Sequence, residues 1–453
     1  MKKIVILGAG ESGTGAALLA KAKGLAVFVS DAGKIAAHYK KELSDNHITF
    51  EEGGHSWDKV RTADEIVKSP GIPNTHSLIQ AVREEGIPII DEIELASRYA
   101  QAFLVAITGT NGKTTTTHLT YYLLKTAGLN VGIAGNMGKS FARQVIKDKF
   151  DYYVLELSSF QLEGVRNFKA NIAALLNITP DHLDRYGYQF TKYIYAKFSI
   201  LQNMTANDHF IYFQEDPNIQ DYLKVTPIAP VKHPISFISS PAHGIYEQNG
   251  RLYCALAKKP FSIAVNATPL IGKHNRLNTM VAMAIASLVD IDPPTITTSL
   301  KAFQGISHRL ARVATIGGID FYNDTKATNV EAAAVALSSF DQPIIWIAGG
   351  QDKGNDYNNL KPMVKAKVKA MICLGKDNTS LRKAFEGIVP AIYETQQVEE
   401  VVKLALAHGK AGDVVLLSPA CASFDLFQNF EERGACFVQA VYQAKKIYEA
   451  KRQ

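Results

Sequence analysis

The sequence predicts an α/β protein of three domains, each built on a mostly parallel sheet with helices on both faces. Three observations lead there. Short apolar, strand-like runs alternate with helical patterns almost throughout the chain. Two glycine-rich turns, at residues 8–13 and 109–112, each stand between an apolar run and a helical pattern. A length of 453 residues sets a prior of about three domains, each large enough for its own core.

The first unit spans residues 1–92. Met-Lys-Lys-Ile-Val-Ile-Leu-Gly reads as its opening strand, too short an apolar run for a signal peptide and ending close to Glu11. Gly8, Gly10 and Gly13 then fit G-x-G-x-x-G, and Asp31 closes the next strand about twenty residues on. That is a Rossmann-like beginning. An NAD-dependent dehydrogenase is one reading, with Asp31 on the ribose. The same glycine turn and helix N-terminus would equally hold the pyrophosphate of another nucleotide, such as a UDP-sugar. Ser69-Pro70-Gly71-Ile72-Pro73 is either a ligand-facing loop at a strand's carboxyl end or a plain Pro/Gly turn.

The second unit, residues 93–303, is P-loop ATPase-like. Phe103–Ile107 reads as a buried strand and the residues after Lys113 as a helix, with Thr-Gly-Thr-Asn-Gly-Lys-Thr-Thr-Thr-Thr starting at Thr108. Gly109 and Gly112 allow backbone N–H groups to converge on phosphate oxygens; Lys113 would reach the β and γ phosphates, and Thr114 or Thr115 would face Mg²⁺. The loop is a shortened variant of G-x-x-x-x-G-K-[ST], which would require glycine at Ile107. A dehydrogenase has no use for this second phosphate loop.

Further along, Glu156 ends an apolar strand, where a buried carboxylate calls for a cation. Asn177–Arg185 clusters polar groups after another apolar strand, and His182 within it is a metal ligand, a phosphate contact or simply a structural histidine. Lys197, in Tyr-Ile-Tyr-Ala-Lys-Phe, reads from the residues alone as a snorkelling surface lysine. Residues 205–270 mix short β-like pieces with Pro-rich turns, an expected antiparallel addition. Asn275 and Asn278 offer amides to a purine edge, although Asn275 also suits a helix cap. Asp292-Pro293-Pro294 marks the approach to the boundary.

The third unit, residues 304–453, is again Rossmann-like, with strands expected at Ile344–Ala348, Ala370–Leu374 and Val414–Leu417. His308-Arg309, the run Asn323–Asn329 and the run Gly349–Gly354 place cations and short polar groups at expected strand ends, suited to phosphate and carboxylate oxygens.

Composition narrows the class. Hydrophobic residues make up 47% and charged residues 20%, and no apolar run approaches the ~20 residues of a membrane span. A net charge of +6, spread along the chain, suits anionic small molecules and gives no nucleic-acid stripe. Cys254, Cys373, Cys421 and Cys436 show neither disulfide nor zinc spacing, so a cytoplasmic location is the default.

Taken together, the 108–114 loop, Glu156, Asn177–His182, Lys197, His274-Asn275-x-x-Asn278 and His308-Arg309 resemble the Mur ligase family over essentially the whole chain. Ser-Pro-Gly-Ile-Pro at 69–73, Asn-Asp-Thr-Lys-Ala-Thr-Asn at 323–329 and Leu-Ser-Pro-Ala-Cys-Ala-Ser-Phe-Asp at 417–425 are similar to its D-glutamate-adding branch. The resemblance implies an ATP-dependent amide ligase of peptidoglycan precursor synthesis. ATP would activate the alanyl carboxylate of UDP-N-acetylmuramoyl-L-alanine as an acyl phosphate, which the amine of D-glutamate would capture.

The same resemblance implies two Mg²⁺ ions, one held by Thr114 and Glu156 and the second with help from His182, and a CO₂-derived carbamate on Lys197, which overturns the surface-lysine reading. Lys113, His182 and Lys197 would be catalytic. Gly109, Thr110, Asn111, Gly112, Lys113, Thr114 and Thr115 would cradle phosphates; Asn278 together with Asn275 would meet adenine, Arg309 a phosphate and Asp324 the ribose. Lys326, Thr328, Lys353, Ser423 and the Phe430 backbone would surround D-glutamate. Ser12, Asp31, Ser69, Pro70, Gly71, Asn136, Gln161 and His182 would serve the UDP substrate, with Ala32 and Gly33 departing from the hydroxyl and basic residue common there. A monomer with hinge closure of the third unit is expected. Competing readings are a folate-extending glutamate ligase, the NAD enzyme and a nucleotide-binding regulator without turnover.

Overall fold

The computed structural model describes residues 1–147, 149–352 and 354–450; Lys353 therefore lies outside the described residues. Three sheets organise the chain. The first contains β1 (Lys3–Leu7), β2 (Ala26–Asp31), β3 (Thr49–Glu52), β4 (Glu65–Lys68) and β5 (Ile89–Ile90), in the order β3-β2-β1-β4-β5. Every pairing in it is parallel. The helix Glu11–Ala22 covers one face, and its small residues let it lie close. A Cβ on Gly13 would come 1.8 Å from the Gly8 carbonyl oxygen, and one on Gly15 would come 2.1 Å from Ser140 Oγ.

The second sheet comprises β6 (Phe103–Thr108), β7 (Val131–Gly135), β8 (Tyr152–Glu156), β9 (Ile172–Leu175), β10 (His209–Phe213), β11 (Val231–Ser236), β12 (Ile245–Gln248), β13 (Arg251–Cys254) and β14 (Phe261–Ala264). Its order is β14-β13-β12-β11-β10-β9-β6-β8-β7. The expected antiparallel addition over residues 205–270 is only partly right. β10 and β11 continue the parallel sheet, and β12 joins β11 in parallel through Ile235↔Ile245 and Ser236↔Tyr246. Only β13 is reversed, pairing antiparallel with β12 on one side and β14 on the other. The half-buried pattern of β10 and β11 hid their parallel character, because buried parallel strands ordinarily read as continuous apolar runs.

The third sheet holds β15 (Ala311–Ile316), β16 (Ile319–Asn323), β17 (Ile344–Ala348), β18 (Val368–Leu374), β19 (Ile392–Thr395) and β20 (Val414–Leu417), in the order β15-β16-β20-β17-β18-β19. All five residues of β17 and all four of β20 are buried, which is why the central strands were easy to read. β15 pairs antiparallel with β16, placing Ala311 opposite Asn323. His308 and Arg309 therefore stand before the start of an antiparallel strand, not after a strand's end, yet they reach the same sheet edge as Asn323.

By contact density the described chain forms two compact units. Met1–Thr268 with His274–Phe303 make the first, which carries two sheets; Pro269–Lys273 and the chain from Gln304 make the second. Within the first unit, Arg143 bridges Glu11 and Glu42, while Glu94 accepts backbone N–H groups of Arg166, Asn167 and Phe168 at 2.9 Å each. Among the described residues no helix is long and apolar enough to cross a membrane.

Candidate nucleotide and amino-acid sites

The phosphate loop follows β6 and ends at the helix Lys113–Thr126, whose N-cap is Gly112 in the left-handed region at φ 86°. A side chain there would strike Asn278 Oδ1 at 2.4 Å, and one on Gly109 (φ 155°) would meet Leu176 Cβ at 2.9 Å. Glycine is thus needed for both conformation and space. Lys113 Nζ donates to the carbonyls of Gly109 and Thr110, both at 2.8 Å, so its ammonium lies across the loop. Anions are favoured at such a helix N-terminus by its first-turn N–H groups and dipole.

A second loop, Asn177–Arg185, is laced to the first. Thr110 N donates to the Asn177 carbonyl at 2.9 Å, Asn111 N to Asn177 Oδ1 at 2.9 Å and Thr179 N to Thr110 Oγ1 at 3.0 Å. Thr110 Oγ1 also lies 3.1 Å from Tyr193 Oη. Lys197 sits beneath this junction, 1% exposed, with Nζ donating to Gly109 O at 2.7 Å and standing 4.6 Å from the Tyr193 ring centroid. Burial first, then the nearby Lys113 ammonium, hold the Lys197 amine well below the ordinary lysine range, with Asp181 pulling the other way. The surface-lysine reading is wrong: the face of Phe190–Phe198 that carries Lys197 turns inward onto the phosphate loop.

Glu156 ends β8, level with Ile107 of β6 and Gly135 of β7. It is 2% exposed; Oε1 accepts from Asn136 Nδ2 at 3.0 Å, while Oε2 is buried without a hydrogen-bond partner among the described residues. Such an oxygen is costly unless a cation or water meets it. Thr114 Oγ1, 3.6 Å from Met137 Sδ, is the hydroxyl donor of the same helix start. An oxygen set of one carboxylate and one hydroxyl, completed by phosphate oxygens and water, fits Mg²⁺. Among the described residues no group of three His, Cys, Asp or Glu side chains forms a protein-only metal site. His182, at φ 50°, keeps a half-exposed ring 5.0 Å from that of Phe160.

In the second unit, Asp324 is buried; it accepts from Leu310 N at 3.0 Å and from Ser418 Oγ at 3.1 Å. Burial pushes its carboxyl up to about 7 against those hydrogen bonds and the Arg309 charge. Close by in sequence, Lys326 Nζ stands 3.9 Å from the Phe430 ring centroid. A cavity of about 320 Å³ is lined by Thr328, Gln351, Asn355, Ser423, Phe430 and Glu431 among others. Three of the five residues expected around the amino acid therefore share one cavity, and a fourth lies over one of its walls.

Comparison with known proteins matches this layout. Residues 2–91 match the Mur ligase MurD-like N-terminal domain, residues 107–286 the Mur ligase middle domain and residues 308–421 the Mur ligase glutamate ligase domain. UDP-N-acetylmuramoylalanine–D-glutamate ligase of Christiangramia forsetii is 47% identical over 440 residues, covering 97% of this chain and 99% of the relative. The Porphyromonas gingivalis enzyme of the same name is 48% identical over 443 residues, covering 97% and 98%. The chain belongs to the Mur ligase family. Solved relatives share the three-domain fold: the UDP-N-acetylmuramate-alanine ligase of Thermotoga maritima aligns with a TM-score of 0.58 at 19% identity, covering 98% of this chain and 100% of that one.

Other expected site residues of this Mur ligase lie in the first unit. Gly8, at φ 91°, faces Ser69, whose Oγ would be 2.5 Å from a Cβ there. The Ser69–Pro73 turn thus packs against the glycine turn. Arg185 ties it to the second sheet through Gly71 O at 3.5 Å and Ile72 O at 3.3 Å, with its guanidinium 3.8 Å over Phe160. Asp31 accepts from Ala9 N at 2.6 Å and Gly33 N at 2.8 Å, so its carboxylate shapes the loops it was expected to serve. Ser12 is in the first turn of Glu11–Ala22. Gln161 completes a capping box with Ser158.

Asn278 and Asn275 are buried and bonded to each other at 3.1 Å, and Asn278 Oδ1 accepts from Thr116 Oγ1 at 3.1 Å. Asn275 is the third residue of Lys273–Leu288, not its cap. Sequence reasoning missed the brace role of Asn278 and the Arg185 link. It also missed Arg433, which sat in a plain helical pattern.

Proposed function

We propose that this Mur ligase joins D-glutamate to UDP-N-acetylmuramoyl-L-alanine in the cytoplasm, as a monomer, with ATP cleaved to ADP and phosphate. The observation that carries the reading is its full-length likeness to relatives named for that reaction, in a chain that keeps a phosphate loop braced against Lys197 and a separate polar cavity beside Lys326. The domains are read as residues 1–92, 93–303 and 304–453.

An oxygen of the alanyl carboxylate attacks the γ-phosphorus and ADP leaves. The amine of D-glutamate, deprotonated, then adds to the acyl carbon, and phosphate departs with that carboxylate oxygen. Such a phosphoryl transfer is governed by positioning and by neutralising crowded negative charge. Lys113 and the N–H groups of residues 109–115 serve the triphosphate. Glu156 and Thr114 would hold one Mg²⁺, with His182 and a carbamate on Lys197 serving a second. Bound there, the ions supply charge neutralisation at the transferring phosphoryl group. The lowered basicity of Lys197 supports the carbamate, since only a neutral amine adds CO₂, releasing a proton.

Ser12, Asp31, Ser69, Pro70, Gly71, Asn136 and Gln161 are assigned to the UDP substrate. Asn275 and Asn278 are assigned to adenine, and Arg309 and Asp324 to phosphate and ribose. Lys326, Thr328, Lys353, Ser423 and the Phe430 backbone receive D-glutamate.

The test is phosphate release from ATP with UDP-N-acetylmuramoyl-L-alanine and a panel of amino acids. Turnover is expected with D-glutamate or a near analogue only. Equal turnover with L-glutamate and folate, or without any acceptor, would overturn the reading.

A further inference from the structure

Arg433 is among the largest fully buried side chains of the protein, at 1% exposure, in the first turn of the helix Phe430–Ala450. Its hydrogen bonds go to oxygens of three separate segments. Nε donates to Thr325 Oγ1 at 2.9 Å; Nη1 donates to Gly349 O at 3.2 Å and Cys421 O at 3.3 Å; Nη2 donates to Thr325 O at 3.0 Å and Cys421 O at 3.3 Å. None of these partners is a carboxylate. Asp425 acts on it electrostatically, and burial nevertheless lowers its basicity to about 10.

The residues that follow each bonded position wall the 320 Å³ cavity: Thr328 after Thr325, Gln351 and Asn355 after Gly349, Ser423 after Cys421. The segments also touch one another, since Gln351 N donates to Ala422 O at 2.8 Å. Gly350 leaves room for this, as a Cβ there would lie 2.1 Å from Ala422 O and 3.1 Å from Arg433 Nη1. A buried ion bonded to neutral groups is an expensive way to fill a core, because an apolar side chain of similar volume often stabilises as well or better. A planar fork with five donors in fixed directions does what an apolar residue cannot: it sets several backbone segments at once.

We infer that Arg433 is the positioning residue of the amino-acid site, its guanidinium holding the three segments that form the walls for the incoming acceptor. The inference rests on the reading of that cavity as the D-glutamate site. It concerns the acceptor alone, so the effect falls on one substrate.

The experiment compares wild type with Arg433→Lys and Thr325→Val in the full-length chain, measuring KM for each of the three substrates, kcat and Tm. Arg433→Lys keeps the charge and loses the fork; it is expected to raise KM for D-glutamate by about 10-fold or more, the scale of one to two lost charge-assisted hydrogen bonds. KM for ATP and for the UDP substrate should stay within about 2-fold. Thr325→Val removes both bonds of that hydroxyl, the one from Arg433 Nε and the one to the Phe430 carbonyl at 3.1 Å, at nearly constant volume and should move the same KM by a few-fold. If Arg433→Lys does not fold, Thr325→Val decides. An unchanged KM for D-glutamate, or a parallel rise in all three KM values, overturns the inference. Absence of D-glutamate turnover in the wild type would instead remove the underlying functional reading.

Discussion

At Lys197 a primary amine is packed under the phosphate loop with one carbonyl and one aromatic ring for company. Removing a charged ammonium from water into that setting is costly, and Lys113 adds repulsion, so the balance shifts toward the neutral amine. That state is the one able to add CO₂. Replacing Lys197 with Ala is expected to lower kcat by at least about 100-fold, a loss of roughly 3 kcal/mol in transition-state stabilisation. Short carboxylic acids added to that variant should restore part of the rate; full activity without rescue would reject the carbamate. At this scale the residue types of the site were legible, since Gly109, Gly112, Lys113 and Glu156 follow from the chemistry of phosphate and metal. The burial of Lys197 was not. Its helix places an inward lysine among aromatic residues, and the sequence signature of that is the same as for a snorkelling one. Arg433 escaped for a related reason, because all but one of its bonds go to backbone carbonyls, which leave no mark in the sequence.

Among the elements, the short helix Glu92–Ser97 couples the end of the first sheet to the second. Glu92 is 1% exposed; Oε1 accepts from Ala142 N, and Oε2 is buried without a hydrogen-bond partner among the described residues. Burial first, then the nearby Asp91 and Glu11 charges, push its carboxyl up from 4.5 to about 8. A carboxyl raised on folding binds protons more tightly in the native state. Its stabilising contribution is whole below pH 4.5 and falls as pH rises, until it is gone above about 8. Glu92→Gln keeps the acceptor and cannot ionise. The variant should match wild type near the acid end of this range and gain in Tm as pH rises to about 8, then hold a constant advantage; each kcal/mol is worth about 1–2 °C for a protein of this size. Thermal scans across pH check this, and a difference independent of pH would contradict it. The buried strands β6, β8, β17 and β20 were legible from their apolar runs. The direction of β10, β11 and β12 was not, since half-buried strands look alike in parallel and antiparallel sheets.

For the whole molecule, the phosphate loop belongs to the first compact unit and the polar cavity to the second. On the proposed reading, amide formation would join an acyl phosphate made at the first to an amine held at the second, with water kept away, because an acyl phosphate hydrolyses. The α/β architecture was legible because strands and helices alternate through most of the chain, with β11 to β14 and β15 to β16 the exceptions. How strongly the first two sheets associate was not, because it depends on pairs far apart in sequence, such as Arg143 with Glu42 and Arg185 with Ile72. In the proposed reaction the carboxylate is activated by phosphoryl transfer before the amine attacks. UDP-N-acetylmuramoyl-L-alanine labelled with ¹⁸O in its carboxylate, turned over with ATP and D-glutamate, tests this through the mass of the released phosphate. One labelled oxygen is expected in each phosphate formed; unlabelled phosphate accompanying amide product would rule out prior activation of the carboxylate.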